Sequence, residues 1–284
     1  MKPAGEDREM LERIASAIRE TNSSTRSAIP VGPFAAFIDE EDATPWQSIA
    51  YPPASDAEAA RDGAAIEELR RSFRAHQRGL RFELFDALYP RLIAALQRAG
   101  FAVTGRQPVM VCAPGDIAPA EGAPFEVQYL GPEDPASALA AFLRIQHIAF
   151  AEAASEADIQ AGVRFLRRDM ESGRLRCAVA FGGAGAGSAG AVSAAAMVGI
   201  GEVAELAGVA TLPEARNQGA ASLLSAALVR SHFARGGALA WLTAGEAAAG
   251  RVYARLGFRE TGALQLNLED RAERDGPARG APQS

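Results

Sequence analysis

The chain has 284 residues, of which 48% are hydrophobic and 23% charged, a balance typical of a soluble globular protein with one large or two ordinary domains. Its formal net charge of -6 provides no basic surface of the kind that binds nucleic acid, so we expect no nucleic-acid partner. No apolar run reaches membrane-spanning length, so we expect no membrane partner either.

Cysteine and histidine usage gives no sign of a metal or disulfide framework. Cys112 and Cys177 are far apart and form no CxxC motif, and His76, His147 and His232 are scattered without ligand spacing. The N-terminal residues are charged where a secretory signal would need its apolar region. We therefore expect no metal, and a reducing cytoplasm as the location of the protein.

The first part of the chain predicts a helix, a loop and a partial domain. Residues 1–30 predict a helix over 6–20 followed by a loop over 21–30. Residues 31–113 predict a first domain, in which a helix begins at Ser55 with Glu58 completing a capping box. The strand LRFELF, the helix YPRLIAALQRAG and the strand QPVMVC follow. The Pro- and Gly-rich segment 114–124 predicts a linker.

Residues 125–268 predict a second domain of alternating strands and helices. In order, these are the strand 125–130, helices near 135–151 and 155–172, a hairpin of strands 175–181 and 191–200 with a Gly/Ala-rich tip, the strand 202–212, a helix, the strand ALAWLTA, the helix EAAAGRVYARLG and a strand near ALQLNL. The polar segment 269–284 predicts a disordered tail.

Two short segments repeat each other. AGFAVTG (99–105) and LGFRETG (256–262) share Gly-Phe-x-x-Thr-Gly, and each is predicted to lie after a helix and before a strand. Two copies are too few for a solenoid. The repeat instead indicates one duplicated fold whose first copy has lost or blurred its N-terminal half.

RNQGAA (216–221) matches the pattern [Arg/Gln]-x-x-Gly-x-[Gly/Ala], which this composition produces about once by chance. A second match at Gln97, Gly100 and Ala102 closes a helix, where exposed carbonyls repel phosphate. The match at Arg216 instead opens a helix, so free backbone N–H groups and the positive helix pole point out of the loop. We therefore predict a diphosphate cradle at 216–221. The Lys-Ser/Thr pair of nucleotide hydrolases and the Gly-x-Gly-x-x-Gly of dinucleotide-binding folds are both absent.

The order of strand ELAGVATL, loop PEARNQGAA, helix, strand LAWLTA, helix and VYARLGF resembles the GCN5-related N-acetyltransferase (GNAT) superfamily over residues 125–268. The resemblance implies an α/β (α+β) fold with a mixed, mostly antiparallel central sheet flanked by helices. Residues 80–111 resemble the end of the same fold, with Leu96 where a tyrosine would be. The chain thus resembles a tandem form with a degenerate first half.

The resemblance also implies a reaction and a site. It implies acetyl-CoA as co-substrate and direct transfer of its acetyl group to a primary amine of a small molecule or peptide. The expected donor-binding residues are Val209, Ala210, Thr211, Arg216, Asn217, Gln218, Gly219, Ala220 and Ala221. Backbone N–H groups of a strand that splays at Gly208 would polarise the thioester carbonyl.

Two side chains are candidates for proton transfer. By resemblance, Tyr253 is the general acid for the departing thiolate, and Glu205 stands where the histone-acetyltransferase branch has its general base. The simpler alternatives are a half-buried helix aromatic for Tyr253 and an outward-facing strand charge for Glu205. Many relatives have Asn where this chain has Ala247, so we expect Thr243 and Glu246 to cap that helix instead.

Three further possibilities stay open at this point. A catalytically silent acyl-CoA-binding or regulatory protein could be built on the same fold, because fold does not fix function. A tandem acetyltransferase of the mycothiol-synthase type is an alternative enzyme. The N-terminal domain is expected to shape the acceptor cleft or a contact with a second copy, which makes a homodimer a candidate assembly.

Overall fold

A computed structural model describes residues 5–25, 28–38, 48–53, 56–60, 63–120, 123–182 and 190–271. The helices in these ranges are α1 (Gly5–Thr25), α2 (Asp56–Ala59), α3 (Gly63–Ala75), α4 (Pro90–Arg98), α5 (Ala136–Phe150), α6 (Glu156–Glu171), α7 (Ala220–Ala234) and α8 (Ala247–Arg255). The strands are β1 (Ala28–Val31), β2 (Phe34–Phe37), β3 (Ile49–Tyr51), β4 (Arg81–Phe85), β5 (Phe101–Cys112), β6 (Phe125–Leu130), β7 (Leu175–Gly182), β8 (Ala191–Val198), β9 (Val203–Thr211), β10 (Leu239–Thr243) and β11 (Arg259–Asp270).

The chain divides into two compact units. The first contains Pro3–Thr25 and Pro108–Gly262, and the second contains Arg26–Gln107 and Ala263–Ser284. Units defined by contacts need not coincide with domains defined by common descent. The domain bounds at 30, 113, 124 and 268 therefore stay a prediction.

The first unit is built on a mixed, mostly antiparallel sheet, as predicted. Its strand order is β5–β10–β9–β8–β7–β6, with only the last residues of β5 taking part. β9 and β10 run parallel, whereas β5 with β10, β8 with β9, β7 with β8 and β6 with β7 are antiparallel. The predicted hairpin of β7 and β8 is confirmed, but its tip at 183–189 lies outside the described residues.

Alternating side chains give this sheet two buried faces. On one face, Ala178, Ala180, Ala195 and Met197 of β7 and β8 pack with residues of α7 and with Leu256 and Phe258. On the other face, Cys177, Val179, Ala194 and Ala196 pack with residues of α5 and α6. We call these the α7/α8 face and the α5/α6 face.

The second unit contains a three-stranded antiparallel sheet, β1–β2–β3, and the neighbouring strands β4, β11 and β5. β4 pairs antiparallel with the last residues of β11, from Gln265 opposite Phe85 to Glu269 opposite Arg81. Meanwhile the end of β5 pairs with β10 in the first unit. The two repeated β–α–β segments therefore exchange their final strands.

Several local predictions were wrong at their boundaries. Residues 21–25 are helical rather than loop, and Asn22 Nδ2, Ser23 Oγ and Ser24 Oγ satisfy their hydrogen bonds by donating to carbonyls of the preceding turn. The predicted disordered tail begins too early, since Glu269 and Asp270 end β11. Ser55 and most of the tail lie outside the described residues.

The predicted linker is without helix or strand where described, but it is packed against the first unit. The Ala118 amide donates to the Leu256 carbonyl at 3.0 Å, and Ile117 and Ala120 pack against the α7/α8 face. Of the helices in the described part of the chain, none has the length and apolar character needed to cross a membrane.

Candidate donor-binding site

A β-bulge interrupts β9 at the glycine where the sequence predicts a splay. Ala194 lies opposite Ala210 and Ala196 opposite Ala207, so β9 has one more residue than β8 across this interval. Gly208 has φ +59°, a left-handed conformation that residues with a Cβ adopt at a cost. The bulge thus lies at the glycine where the resemblance leads us to expect the strand to splay.

The bulge changes which side chains of β9 face each helix layer. Before it, Ala204 and Leu206 pack on the α7/α8 face. After it, the even-numbered Ala210 packs on the α5/α6 face, and the odd-numbered Val209 on the α7/α8 face. One inserted residue reverses the alternation, because side chains of a strand alternate with a period of two.

β9 also separates from its parallel neighbour close to the bulge. Pairing with β10 runs from Val203 to Glu205, opposite Leu239 to Trp241, and does not extend to the end of either strand. The Leu212 amide bonds the Val192 carbonyl of β8, so alternation directs the Thr211 amide away from β8. β9 thus presents backbone polar groups towards the opening between itself and β10.

The predicted cradle lies between the end of β9 and the start of α7. A short 3₁₀ turn, Pro213–Ala215, is followed by Asn217 with φ +62° and by Gly219 with φ +92° as the residue before the helix. The amides of Ala220, Ala221 and Ser222 lie in the first turn, where α-helical geometry provides no intrahelical acceptor. These donors and the positive helix pole suit a diphosphate.

Gly219 is exposed, and its backbone is closely covered on one side. A Cβ at this position would lie 3.2 Å from Ala123 Cβ, and its φ already disfavours any side chain. The exposed backbone that glycine leaves at the helix start fits a ligand that approaches the main chain closely.

Arg216 lies at the predicted position but contacts protein groups. Its Nε donates to the Thr211 carbonyl at 3.2 Å and its Nη2 to the Ala149 carbonyl at 3.4 Å. Gln218 Nε2 donates to the Glu214 carbonyl at 3.0 Å. Arg216 thus joins the cradle to the end of β9 and to α5, while its direct contact with phosphate stays a prediction.

Tyr253 is half-buried on α8 and packs on the α7/α8 face, with its ring 6.0 Å from that of Phe258 in an edge-on arrangement. Burial raises the pKa of the Tyr253 hydroxyl to about 12. The hydroxyl therefore holds its proton at neutral pH, as a proton donor must.

Glu205 lies on β9 three residues before Gly208, opposite Trp241 of β10. The alternation of the strand places its side chain on the face opposite to Ala204 and Leu206, which is the α5/α6 face. Tyr253 and Glu205 are thus on opposite faces of the sheet. That arrangement suits an acid and a base that act on opposite sides of a reacting carbonyl.

Sequence reasoning missed two side chains that hold this region together. Gln146 of α5 donates from Nε2 to the Gly208 carbonyl at 2.9 Å. Ser193 of β8 is fully buried, and its hydroxyl donates to the Ala210 carbonyl at 2.6 Å and contacts Thr211 Oγ1 at 2.9 Å. A buried serine in an alanine-rich strand is a detectable signal, whereas nothing local to Gln146 marks its partner 62 residues away.

The cap proposed for α8 is not formed by side chains. Glu246 occupies the N-cap position, but no side-chain hydrogen bond caps the helix.

The histidine and cysteine side chains named in the sequence include three that lie in the core. His232 is buried and bonded to the Glu202 and Leu239 carbonyls. Burial raises the pKa of the Cys112 and Cys177 thiols to about 12. Among the described residues there is no cluster of three or more His, Cys, Asp or Glu that could hold a metal.

Comparison with known proteins agrees with this geometry. A family model described as FR47-like protein, which is related to the GNAT enzymes, matches residues 184–265. A GCN5-related N-acetyltransferase from Kribbella flavida has 28% identity and a TM-score of 0.72, over 92% of this chain and 95% of that chain. No curated protein matches the chain.

Two more distant structures share the fold. A tandem GNAT protein from the clavulanic acid biosynthesis pathway has 14% identity and a TM-score of 0.59, over 94% of each chain. A GCN5-related N-acetyltransferase from Sphaerobacter thermophilus has 14% identity and a TM-score of 0.58, over 84% of this chain and 76% of that chain.

These matches define the class of protein. The chain has the GNAT fold, and its resemblance to the GNAT superfamily is confirmed. The Kribbella flavida protein, at 28% identity, is a GCN5-related N-acetyltransferase, so the activity that this likeness indicates is acyl transfer.

Proposed function

We propose that the protein is an N-acetyltransferase that uses acetyl-CoA and transfers the acetyl group directly to a primary amine of a small molecule or peptide. The observation that carries the proposal is the combination of the Gly208 bulge, the separation of β9 from β10, and a helix N-terminus directly after β9. Together these features provide donors for a thioester carbonyl and for a diphosphate at the two ends of one short segment.

The chain's residues support the chemistry as follows. The amides of Val209 and Thr211, which face away from β8, polarise the thioester carbonyl, and the loop 216–221 with the start of α7 holds the diphosphate. The neutral amine attacks the carbonyl carbon, a C–N bond forms and the C–S bond breaks. Tyr253 gives its proton to the departing thiolate, and Glu205 accepts the proton that the amine loses. The products are an amide and free CoA.

We further propose a cytoplasmic location and a tandem origin. Cys112 and Cys177 are both free and buried, which fits a reducing compartment. The tandem origin is supported by the repeated β–α–β segments, which lead into β5 and β11. The acceptor is left at the level of a primary amine, and a second copy of the chain stays a candidate partner.

The test is thiol release when the protein is mixed with acetyl-CoA and a panel of amines, beside calorimetric binding of CoA. We expect release that requires both protein and amine. Binding without release would identify the silent acyl-CoA-binding alternative, and absence of binding would contradict the proposal. Glu205→Gln should lower turnover more at pH 7 than at pH 9, because a basic amine loses its proton unaided as pH rises.

A further inference from the structure

The last turn of α5 contacts both parts of the donor site. Gln146 reaches the bulge on β9, and the carbonyl of Ala149 accepts a hydrogen bond from Arg216 of the loop. The two contacting residues, Gln146 and Ala149, are thus three positions apart on the same helix. We propose, on the basis of the function proposed above, that this turn positions the donor site and that Gln146 is its principal positioning residue.

The contact between Gln146 and Gly208 depends on both residues. A bulge disrupts the regular ladder, and the Gln146 amide supplies a donor to the Gly208 carbonyl at 2.9 Å. A Cβ on Gly208 would overlap Gln146 Nε2, so only glycine admits the amide at this distance. Glycine at this position therefore serves the backbone turn and the approach of Gln146 together.

The contact between Arg216 and Ala149 holds the loop 216–221 against the end of α5. Ala149 lies in the last turn of α5, where carbonyls have no intrahelical donor and where a positive charge is favourable. The same guanidinium bonds the Thr211 carbonyl at 3.2 Å. Arg216 therefore links the end of β9, the loop and α5, in addition to bringing positive charge to the loop.

The hydrogen bond from Gln146 to Gly208 affects the position of the Val209–Thr211 amides. These amides follow the bulge directly, so a shift of Gly208 moves them relative to the loop. Gln146 touches neither donor nor acceptor in this account and acts through the backbone of β9. Its loss should impair the thioester end of the site and leave the nucleotide end intact.

The first experiment compares Gln146→Met with Gln160→Met. Gln160 lies exposed on α6 and donates to Glu156 of its own helix, so it controls for the same change of side chain. We expect Gln146→Met to lower kcat at least tenfold while the Kd of 3′-phospho-ADP changes less than threefold, and Gln160→Met to alter neither. An unchanged kcat, or an equal loss of kcat and nucleotide affinity, would overturn the proposal.

The second experiment needs no activity. Gly208→Ala is measured by thermal melting in the native background and in a Gln146→Ala background, with Gln160→Ala as the matched control background. We expect the Tm loss from Gly208→Ala to be smaller when Gln146 is truncated, because the overlap is gone. Equal losses in all three backgrounds would refute the contact, whereas failure of native protein to bind CoA would instead refute the proposed function.

Discussion

The repeated segments β4–α4–β5 and β10–α8–β11 share an order of strand, helix and strand but differ in their side chains. In each, a helix ends at a glycine in the left-handed region, Gly100 with φ +95° and Gly257 with φ +98°, and a twelve-residue strand follows. At the equivalent helix position α4 has Leu96, fully buried, whereas α8 has the half-buried Tyr253. The same order of strand, helix and strand thus packs with either a leucine or a tyrosine at this position.

The two glycines also differ in what covers them. A Cβ on Gly257 would overlap the Asp116 carbonyl oxygen of the packed linker, whereas one on Gly100 would lie 3.8 Å from the Arg70 guanidinium. The segment β10–α8–β11 therefore combines the same turn with a close backbone contact.

The largest expected difference is between Gly257→Ala and Gly100→Ala. Gly100→Ala should lower the free energy of unfolding by about 1 kcal/mol, because alanine adopts a positive φ at that cost. Gly257→Ala must also displace the linker backbone, and we expect a loss of about 3 kcal/mol or more in the free energy of unfolding. Urea unfolding of both variants measures this, and equal losses would show that the linker does not pack on Gly257.

Removal of the Tyr253 hydroxyl should affect catalysis without a comparable effect on folding. We expect Tyr253→Phe to lower kcat by about 10²-fold, since general acid catalysis is worth at least that much. Tyr129→Phe, which removes an exposed hydroxyl bonded to the Ala227 carbonyl, should leave kcat unchanged. Unaltered turnover in Tyr253→Phe would contradict the role of Tyr253 as general acid and leave α8, like α4, with a structural role.

A smaller effect, on the pH dependence of stability, is expected at the start of β10. His232 anchors the first residue of β10: its Nε2 lies 3.2 Å from the Leu239 carbonyl, and its Nδ1 lies 3.2 Å from Arg176 Nη2. Desolvation and the Arg176 charge lower the pKa of His232 below the ordinary value of 6.5. The unfolded chain therefore takes up a proton that the folded chain refuses, and stability falls as pH drops below 6.5.

His232→Gln removes this titration. We expect the native protein to lose about 1 kcal/mol more than the variant over the pH unit below 6.5, measured by urea unfolding. His76→Gln, directly after α3, provides the control for removal of a histidine. Parallel curves for native protein and His232→Gln would contradict the anchoring role.

The sequence predicted those parts of the fold and site that have local causes. A strand followed by RNQGAA and an apolar-striped helix indicates a helix N-terminus, whereas the splay at Gly208 was expected from the family resemblance. The decoy at Gln97 was correctly interpreted as a helix end, since Gly100 follows α4 with a positive φ.

What the sequence missed depends on long-range pairing. Periodicity identifies β5 and β11 as strands but cannot tell which partner each takes, so their exchange was not foreseen. Arg70 of α3 pairs with the buried Asp270, 200 residues later, with Nε and Oδ2 2.5 Å apart, and no local pattern marks that partner. Gln146 and Gly208 are likewise joined only by the fold.

We propose that the loop at 216–221, and not its sequence match at Gln97, binds the diphosphate of CoA. Calorimetric titration of CoA into native protein, Arg216→Glu and Gln97→Glu tests it directly, because both substitutions add a negative charge at an exposed position. We expect Arg216→Glu to weaken CoA binding at least tenfold and Gln97→Glu to leave it within twofold of native. Equal affinities in the two variants would contradict the account.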